Sequence, residues 1–260
     1  MATPCSSIDQ RKDSRGARVF PYVVINMAMT ADGKVATAGR EVTTFGSSYD
    51  QRALYALRAT ADALLCGART VEETGATLGT GSPKHLAARR RAGLAPAPVR
   101  VVVSGAASLS SEAELWKHPG APIVVLVAES APKAQRERLR QLGAELWVSP
   151  GEGLDFSAAL SWLAERHGIR RLAAEGGGRV NAALLAANRV DEIRLTCVPR
   201  VFGGRAAPTI ADGPLAACLA DAARFRLAQV RTVGDERFLR YVRADSEATS
   251  RPAGSTLPPF

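Results

Sequence analysis

The residues best suited to chemistry lie in one short segment, positions 171–181, with the sequence RLAAEGGGRVN. An apolar run ends on the carboxylate Glu175, and the glycines Gly176, Gly177 and Gly178 follow it, directly before residues typical of a helix. Glycine lets a ligand approach the backbone closely, and the first turn of a helix offers unpaired N–H groups at the positive end of its dipole. The segment therefore predicts a phosphate site with an acid beside it; the alternative is a glycine-rich turn without a ligand.

Other patterns narrow the kind of site. The three glycines do not form GxGxxG, and GxxxxGK[ST] occurs nowhere in the chain, so neither a Rossmann fingerprint nor a Walker A loop is expected. The four cysteines are far apart without a CxxC pair, and the three histidines are scattered. We therefore expect reduced thiols and no metal site.

Length and composition indicate one globular domain. The chain has 260 residues, of which 46% are hydrophobic, enough to bury a substantial core. We expect the domain to span residues 20–244, between polar or proline-rich disordered tails at 1–19 and 245–260. An apolar run of about 18 residues and a secretory signal are both missing from the sequence, so we expect a cytoplasmic protein without a membrane partner.

The charge balance favours an anionic partner. Lysine and arginine number 34 against 25 aspartates and glutamates, a net charge of +9 that suits an anionic small molecule or a nucleic acid. Aromatic residues make up only 5% of the chain, so stacking platforms are scarce and a nucleic-acid partner is not expected. For the cluster Arg89, Arg90 and Arg91 two interpretations stay open, a solvated basic loop or a contact with a cofactor phosphate.

Periodicity and capping residues predict alternating strands and helices. Strands are expected at 22–28, 63–66, 99–103, 123–127, 172–174 and 193–198, followed by an antiparallel pair at 224–230 and 237–242. Helices are expected to begin at Ser47 or Ser48, at Ser130 with Pro132, at Asp155 and near Arg179. The predicted fold class is α/β, with a mostly parallel central sheet, helices on both faces and an antiparallel C-terminal edge.

Four separated motifs carry a resemblance to a known family. They are NMAMTADGK at 26–34, ALLCGARTV at 63–71 after the helix that contains Arg58, EGGGRVN at 175–181, and VDE with PRVFGG within 190–204. In this order they resemble the NADPH-dependent reductases of riboflavin biosynthesis, which occur as the reductase domain of bifunctional deaminase-reductases and as standalone pyrimidine reductases. The resemblance covers most of the chain without a deaminase domain, and it implies a dihydrofolate reductase-like fold and a homodimer.

The resemblance also implies a reaction and roles for individual residues. The implied reaction is hydride transfer from NADPH to the ribosylamino group of a small heterocyclic substrate, 5-amino-6-(5-phosphoribosylamino)uracil, without a metal. Glu175 and Asn26 are the implied catalytic residues, and substrate contacts are implied for Arg58, Glu175 and Leu78. The implied NADPH contacts are Ala28, Thr30, Asp32, Gly67, Thr70, Gly176, Gly177, Gly178, Arg179, Val180 and Asn181.

Two of these residues have a second interpretation or a finer role. Asp32 either holds the loop after the first strand or is only part of a turn. Arg179 is the nearest arginine for the 2′-phosphate that distinguishes NADPH from NADH.

One segment departs from the family pattern. After Thr70 and Val71 the family commonly continues with DxPxLTxR, whereas this chain has Thr74 and Gly81 at the aspartate and arginine positions. Glu72 or Glu73 is a possible replacement for the carboxylate. The cofactor is therefore predicted more directly than the substrate. Dihydrofolate, another pterin or another heterocycle stays open as substrate, as does a catalytically silent NADPH-binding paralogue.

Overall fold

A computed structural model describes residues 19–40, 45–151, 153–217 and 221–244. Strands and helices alternate through most of this part of the chain. In chain order they are β1 (Tyr22–Thr30), α1 (Ser48–Arg58), β2 (Ala63–Gly67), α2 (Ala68–Thr74), α3 (Pro83–Arg91), β3 (Val99–Val103), α4 (Glu114–Lys117), β4 (Ile123–Ala128), α5 (Lys133–Gln141), β5 (Glu145–Ser149), α6 (Phe156–His167), β6 (Arg171–Ala174), α7 (Gly178–Ala186), β7 (Glu192–Val198), β8 (Phe225–Val233) and β9 (Glu236–Arg243).

The strands form one nine-stranded sheet in the order β5-β4-β3-β2-β6-β1-β7-β9-β8. Neighbours from β5 to β7 run parallel, while β9 lies antiparallel between β7 and β8. The predicted α/β class, the mostly parallel sheet and the antiparallel C-terminal edge are confirmed. Parallel strands bring their carboxyl ends to one edge of the sheet, where the ends of β1, β2, β3 and β6 meet.

A hydrophobic core covers each face of the sheet, as predicted. Val24 of β1 packs in one core with Leu57 of α1, and helices α2, α4 and α5 add residues to the same core. Val23 of β1 packs in the other core with Leu160 of α6 and residues of α7. Successive strand residues point to opposite faces, so the continuous apolar runs of the central strands are explained by burial on both sides.

Most of the predicted helix ends are observed. The Ser47 side chain accepts hydrogen bonds from the first turn of α1, and Asp155 does the same for α6, which ends at the left-handed Gly168. Asn188 follows α7 in the left-handed conformation, with φ +57°. The prediction for Ser130 is wrong, because α5 begins after Pro132 and no side chain caps it.

In the arginine cluster Arg90 and Arg91 are exposed, as the solvated interpretation expects, although they end a helix and do not lie in a loop; for Arg89 both interpretations are wrong. Arg89 to Arg91 end helix α3, and the Arg89 side chain is fully buried. Its guanidinium donates to the backbone oxygens of Arg58, Ala61 and Ala95 at 3.1, 2.5 and 2.8 Å. Arg89 therefore joins α3 to the end of α1 and contacts neither solvent nor a phosphate site.

Three further observations concern the predicted tails, membrane spans and metal sites. The expected disordered tails lie outside the described residues, apart from position 19. No helix in the described ranges has both the length and the apolar character that a membrane span requires; the cytoplasmic location stays a prediction. Within the same ranges no three His, Cys, Asp or Glu residues come together as a metal site would require.

Candidate active site

A cavity of about 930 Å³ lies at the carboxyl ends of the central strands. Its walls come from the second half of β1, the ends of β2 and β3, the residue after β6, helices α1 and α2, and the start of α7. Ten of the residues implicated by the sequence line it: Asn26, Ala28, Arg58, Gly67, Thr70, Glu175, Gly177, Gly178, Arg179 and Val180. The crevice beyond the carboxyl ends of parallel strands is where ligands bind in open α/β sheets.

The glycine turn brings backbone to the cavity wall. Gly176 has φ +92°, a conformation suited to glycine, and a cis peptide bond joins it to Gly177. A Cβ at Gly178 would lie 2.6 Å from the backbone oxygen of Thr209, so this position has no room for a side chain. No side chain caps α7, which begins at Gly178. The Val180 amide donates to the Gly177 backbone oxygen at 2.9 Å, so among the described residues the amides of Gly178 and Arg179 are the ones placed to bind an anion. These features fit the diphosphate of a dinucleotide.

Arg58 and Glu175 form an ion pair in the wall of the cavity. Nε and Nη2 of Arg58 donate to Oε1 and Oε2 of Glu175, both at 2.6 Å. The third nitrogen, Nη1, donates to the backbone oxygen of Gly79 at 2.8 Å. Two of the three guanidinium nitrogens of Arg58, an implied substrate contact, are thus occupied by Glu175, although both residues still line the cavity.

Thr30 and Asp32 lie beside the cavity and not in its lining. The Thr30 hydroxyl donates to Asp32 at 2.5 Å, and Asp32 accepts from the backbone amides of Phe202 and Gly203 at 3.2 and 2.8 Å. The Thr30 hydrogen bond, aided by these amides, lowers the pKa of Asp32. Asp32 therefore holds the loop after β1, which is one of its two expected roles.

Three other implicated residues also lie outside the lining. Leu78 is buried and has φ +52°. Asn181 is fully buried, and its side-chain amide donates to the backbone oxygen of Ile210 at 2.8 Å. Gly176 faces Met27, whose Sδ would lie 2.9 Å from a Cβ at that position. These residues shape the walls behind the cavity.

The segment from Thr74 to Gly81, which departs from the family pattern, makes different contacts at its two ends. The Thr74 hydroxyl donates to the backbone oxygen of Thr70 at 2.7 Å, within helix α2. Gly81 has φ +82°, and a Cβ there would lie 2.7 Å from the ring of Tyr55. Tyr55 therefore occupies the space beside position 81. Both glutamates considered as replacements line the cavity, and Glu72 accepts the Ser110 amide at 2.7 Å.

Asp50 is the main cavity residue that the sequence analysis missed. It lies in the first turn of α1, and its Oδ1 accepts the Thr196 hydroxyl at 2.6 Å. Burial raises the pKa of Asp50, the Thr196 hydrogen bond opposes this effect, and the negative charge of Glu236 adds to it. The signal available in the sequence was the serine-x-x-aspartate spacing from Ser47, which predicts only a helix cap.

The family model for the RibD C-terminal domain matches residues 21–239 of the chain. The chain belongs to the RibD C-terminal domain family. The resemblance found in the sequence is thereby confirmed. A relative from Methanothermobacter thermautotrophicus, named 2,5-diamino-6-ribosylamino-4(3H)-pyrimidinone 5′-phosphate reductase, is 35% identical over 221 residues, which cover 85% of this chain and 97% of the relative. This RibD C-terminal domain protein is therefore an oxidoreductase.

Solved structures share the fold of this RibD C-terminal domain. A pyrimidine reductase-like protein from Corynebacterium diphtheriae superposes with a TM-score of 0.73 at 21% identity, over 86% of this chain and 92% of that chain. RibD from Acinetobacter baumannii superposes with a TM-score of 0.71 at 22% identity, over 86% of this chain. The chain spans 58% of that RibD chain.

Proposed function

We propose that this protein is an NADPH-dependent reductase that transfers hydride to the ribosylamino group of a pyrimidine 5′-phosphate in riboflavin biosynthesis. The observation that carries the proposal is the cavity itself. In a chain of this family, an uncapped helix start at Gly178 and the Arg58–Glu175 pair face one space of about 930 Å³. A space of that size is at the upper end of the usual range for small-molecule sites, and we infer that it holds the nicotinamide end of the cofactor beside the substrate.

The proposal divides the cavity between cofactor and substrate. Gly177, Gly178 and the first amides of α7 would hold the diphosphate of NADPH, since the helix dipole and the unpaired N–H groups both favour an anion. When bound, the nicotinamide supplies the hydride. The protein contributes orientation of the two ligands and exclusion of water.

Arg58, Glu175 and Asn26 would act on the substrate side. Arg58 fixes Glu175 in one position through two hydrogen bonds, and each carboxylate oxygen keeps a lone pair for an N–H or O–H of the substrate. Asn26 lines the same space from β1 and would orient the sugar. Glu175 is then the residue placed to bind the pyrimidine or to manage a proton.

The direct test is turnover by the purified protein. The protein is incubated with NADPH and one of two substrates, the uracil substrate expected from the sequence or the 2,5-diaminopyrimidinone phosphate named for the relative. Turnover should consume NADPH, which is measured by the absorbance of the reduced nicotinamide. Loss of absorbance with dihydrofolate alone would favour the second candidate, another heterocycle, which the altered loop from Thr74 to Gly81 motivates. Binding of NADPH without turnover of any substrate would favour a silent paralogue.

We also propose that the protein is a homodimer, with β8 in the interface. Among the described strands, β8 is the last of the sheet and pairs on one side only, with β9. Leu227 and Val230 on this strand are 51% and 52% exposed. An unpaired edge strand with exposed apolar side chains is a surface that proteins usually cover.

A further inference from the structure

Asp50 is a carboxylate in the cavity to which the proposed function gives no role. It lies on one face of α1 with Leu54 and Arg58, one and two turns further along, and all three line the cavity. Glu175 neutralises the charge of Arg58. Among the described residues no salt bridge compensates Asp50, and the hydrogen bond it accepts from a side chain comes from the neutral hydroxyl of Thr196.

The helix does not need Asp50 as a cap. In a capping box the residue at its position would accept the backbone N–H of Ser47. Here Glu236 of β9 accepts that N–H at 2.8 Å and the Ser47 hydroxyl at 2.6 Å. Since Glu236 is buried and serves the helix end, the Asp50 carboxylate is free to face the cavity, and Thr196 fixes its orientation.

The other carboxylate oxygen of Asp50, Oδ2, needs a residue without a side chain beside it. Gly46 lies beside Oδ2, and a Cβ at position 46 would collide with this oxygen. Gly46 lines the same cavity. The missing side chain at position 46 thus leaves room for the Asp50 carboxylate in this orientation. Burial raises the pKa of Asp50, as expected for a carboxylate whose desolvation is not yet offset by donors.

The chemistry of a carboxylate selects one edge of a heterocycle. An ionised carboxylate only accepts hydrogen bonds, and two adjacent N–H groups match its two oxygens. A 2-amino-4-oxopyrimidine presents such a pair, its exocyclic 2-amino group and its N3–H. A uracil presents a carbonyl oxygen at C2, which would face a carboxylate oxygen with no proton between them.

We propose that Asp50 is a specificity-determining residue that binds the 2-amino and N3–H edge of the pyrimidine. The preferred substrate then carries an amino group at C2, as in the 2,5-diaminopyrimidinone phosphate, and the uracil form is disfavoured. This proposal rests on the proposed function. Gly46 leaves room for the Asp50 carboxylate, and Thr196 is a positioning residue.

The test compares the two substrates in the wild type and in Asp50→Asn. The wild type should reduce the 2,5-diaminopyrimidinone phosphate with a kcat/KM at least about tenfold above that for the uracil form, because a buried acceptor rejects a ligand that lacks the donor. An asparagine amide offers one acceptor and one donor, which match N3–H and the C2 carbonyl. Asp50→Asn should therefore lose about 100-fold with the diamino substrate and reverse the preference.

A helix-capping variant separates specificity from structure. Glu236→Gln weakens the Ser47 cap and keeps the Asp50 carboxylate, and the loss of the Glu236 charge favours its ionised form. This variant should therefore lower thermal stability and leave the ratio of the two kcat/KM values unchanged. Competition by the two reduced products against wild-type turnover gives the same preference without any variant, should Asp50→Asn not fold.

The outcomes distinguish this proposal from the proposed function. Turnover of both substrates with equal kcat/KM, a wild-type preference for uracil, or an unchanged ratio in Asp50→Asn would overturn the role of Asp50 and leave the reductase intact. Neither turnover nor binding of either pyrimidine would overturn the proposed function, and the role of Asp50 with it.

Discussion

Arg58 and Glu175 are joined by two parallel hydrogen bonds of 2.6 Å, and each side chain is only 10% exposed. The pair ties α1 to the end of β6 and forms part of the cavity wall. Each buried charge is solvated by the other side chain in place of water, so the two residues act as one unit. Removal of one member leaves a poorly solvated charge behind.

Glu175→Ala should lower the free energy of unfolding by about 3–5 kcal/mol, because it leaves Arg58 without its counterion. Urea denaturation followed by circular dichroism measures this loss. The double variant Arg58→Met with Glu175→Met should recover most of the stability but no turnover. Arg166→Ala, which removes an exposed partner of Glu145, is the control and should change stability by less than about 1 kcal/mol. A loss that small in Glu175→Ala would contradict the structural role of the pair.

Gly178→Ala should weaken NADPH binding at least about tenfold while the protein stays folded. The added Cβ would meet the backbone oxygen of Thr209 at 2.6 Å, so the start of α7 must shift away from its present place in the cavity wall. Isothermal titration calorimetry measures the affinity. Gly120→Ala is the matched control, since its Cβ would make only an ordinary contact with Arg100 at 3.8 Å. Equal affinities of the two variants would argue against a diphosphate at this turn.

Arg179→Ala should weaken NADPH much more than NADH, because Arg179 is an exposed arginine at the cavity and a 2′-phosphate would be its partner. Dissociation constants for both coenzymes, measured on the same preparation, give the comparison. Arg140→Ala, on the surface of α5, is the control for the change in net charge and should leave both constants unchanged. An equal loss for NADPH and NADH would assign the 2′-phosphate to another residue.

The sequence predicted the positions of all strands of the described sheet except β5, because their apolar runs are bounded by glycine, proline and capping residues. It missed α3, since a helix ending in three arginines has almost no apolar stripe. The burial of Arg89 was also missed, because two of its three backbone acceptors, the oxygens of Arg58 and Ala61, come from a segment that only folding brings beside it. A run of charges is usually solvated, as Arg90 and Arg91 are here, and Arg89 is the exception.

The same limit applied to the cavity. The glycine turn was recognisable from local sequence, since glycines before a helix have a direct physical meaning. The role of Asp50 was not recognisable. It depends on Glu236, which lies 189 positions from Ser47 in the sequence and accepts the Ser47 amide in place of Asp50. Likewise Gly81 is explained only by the ring of Tyr55, which occupies the adjacent space.

Val230→Lys should shift the protein from dimer to monomer, because it places a charge on the exposed apolar strand β8. Sedimentation velocity at several concentrations measures the association. Gln141→Lys adds the same charge at the exposed end of α5 and should leave the dimer intact. A wild-type protein that sediments as a monomer at every concentration would contradict the proposed homodimer.

Glu192 makes the free energy of unfolding depend on pH in the acid range. It is fully buried on β7, and it accepts hydrogen bonds from Arg194 at 2.7 Å and from Arg240 and Tyr22 at 3.0 Å. Burial alone would raise its pKa, but the hydrogen bonds and charges of Arg240 and Arg194 outweigh burial and lower the pKa to about 2 from an ordinary 4.5. A pKa depressed in the folded state stabilises the protein above the unfolded-state value, and this contribution is lost as the pH falls toward 2.

The contribution of Glu192 to the free energy of unfolding of the wild type should therefore fall by about 3 kcal/mol between pH 4.5 and pH 2, because each unit of pKa shift corresponds to about 1.36 kcal/mol. Urea denaturation across this range measures the slope. Glu192→Gln cannot titrate, so its curve should be flatter there, while its stability at neutral pH falls because Arg194 and Arg240 lose their counterion. Glu137→Gln, on the surface of α5, should keep the wild-type slope. Parallel curves for wild type and Glu192→Gln below pH 4.5 would show that another buried carboxylate controls the acid response.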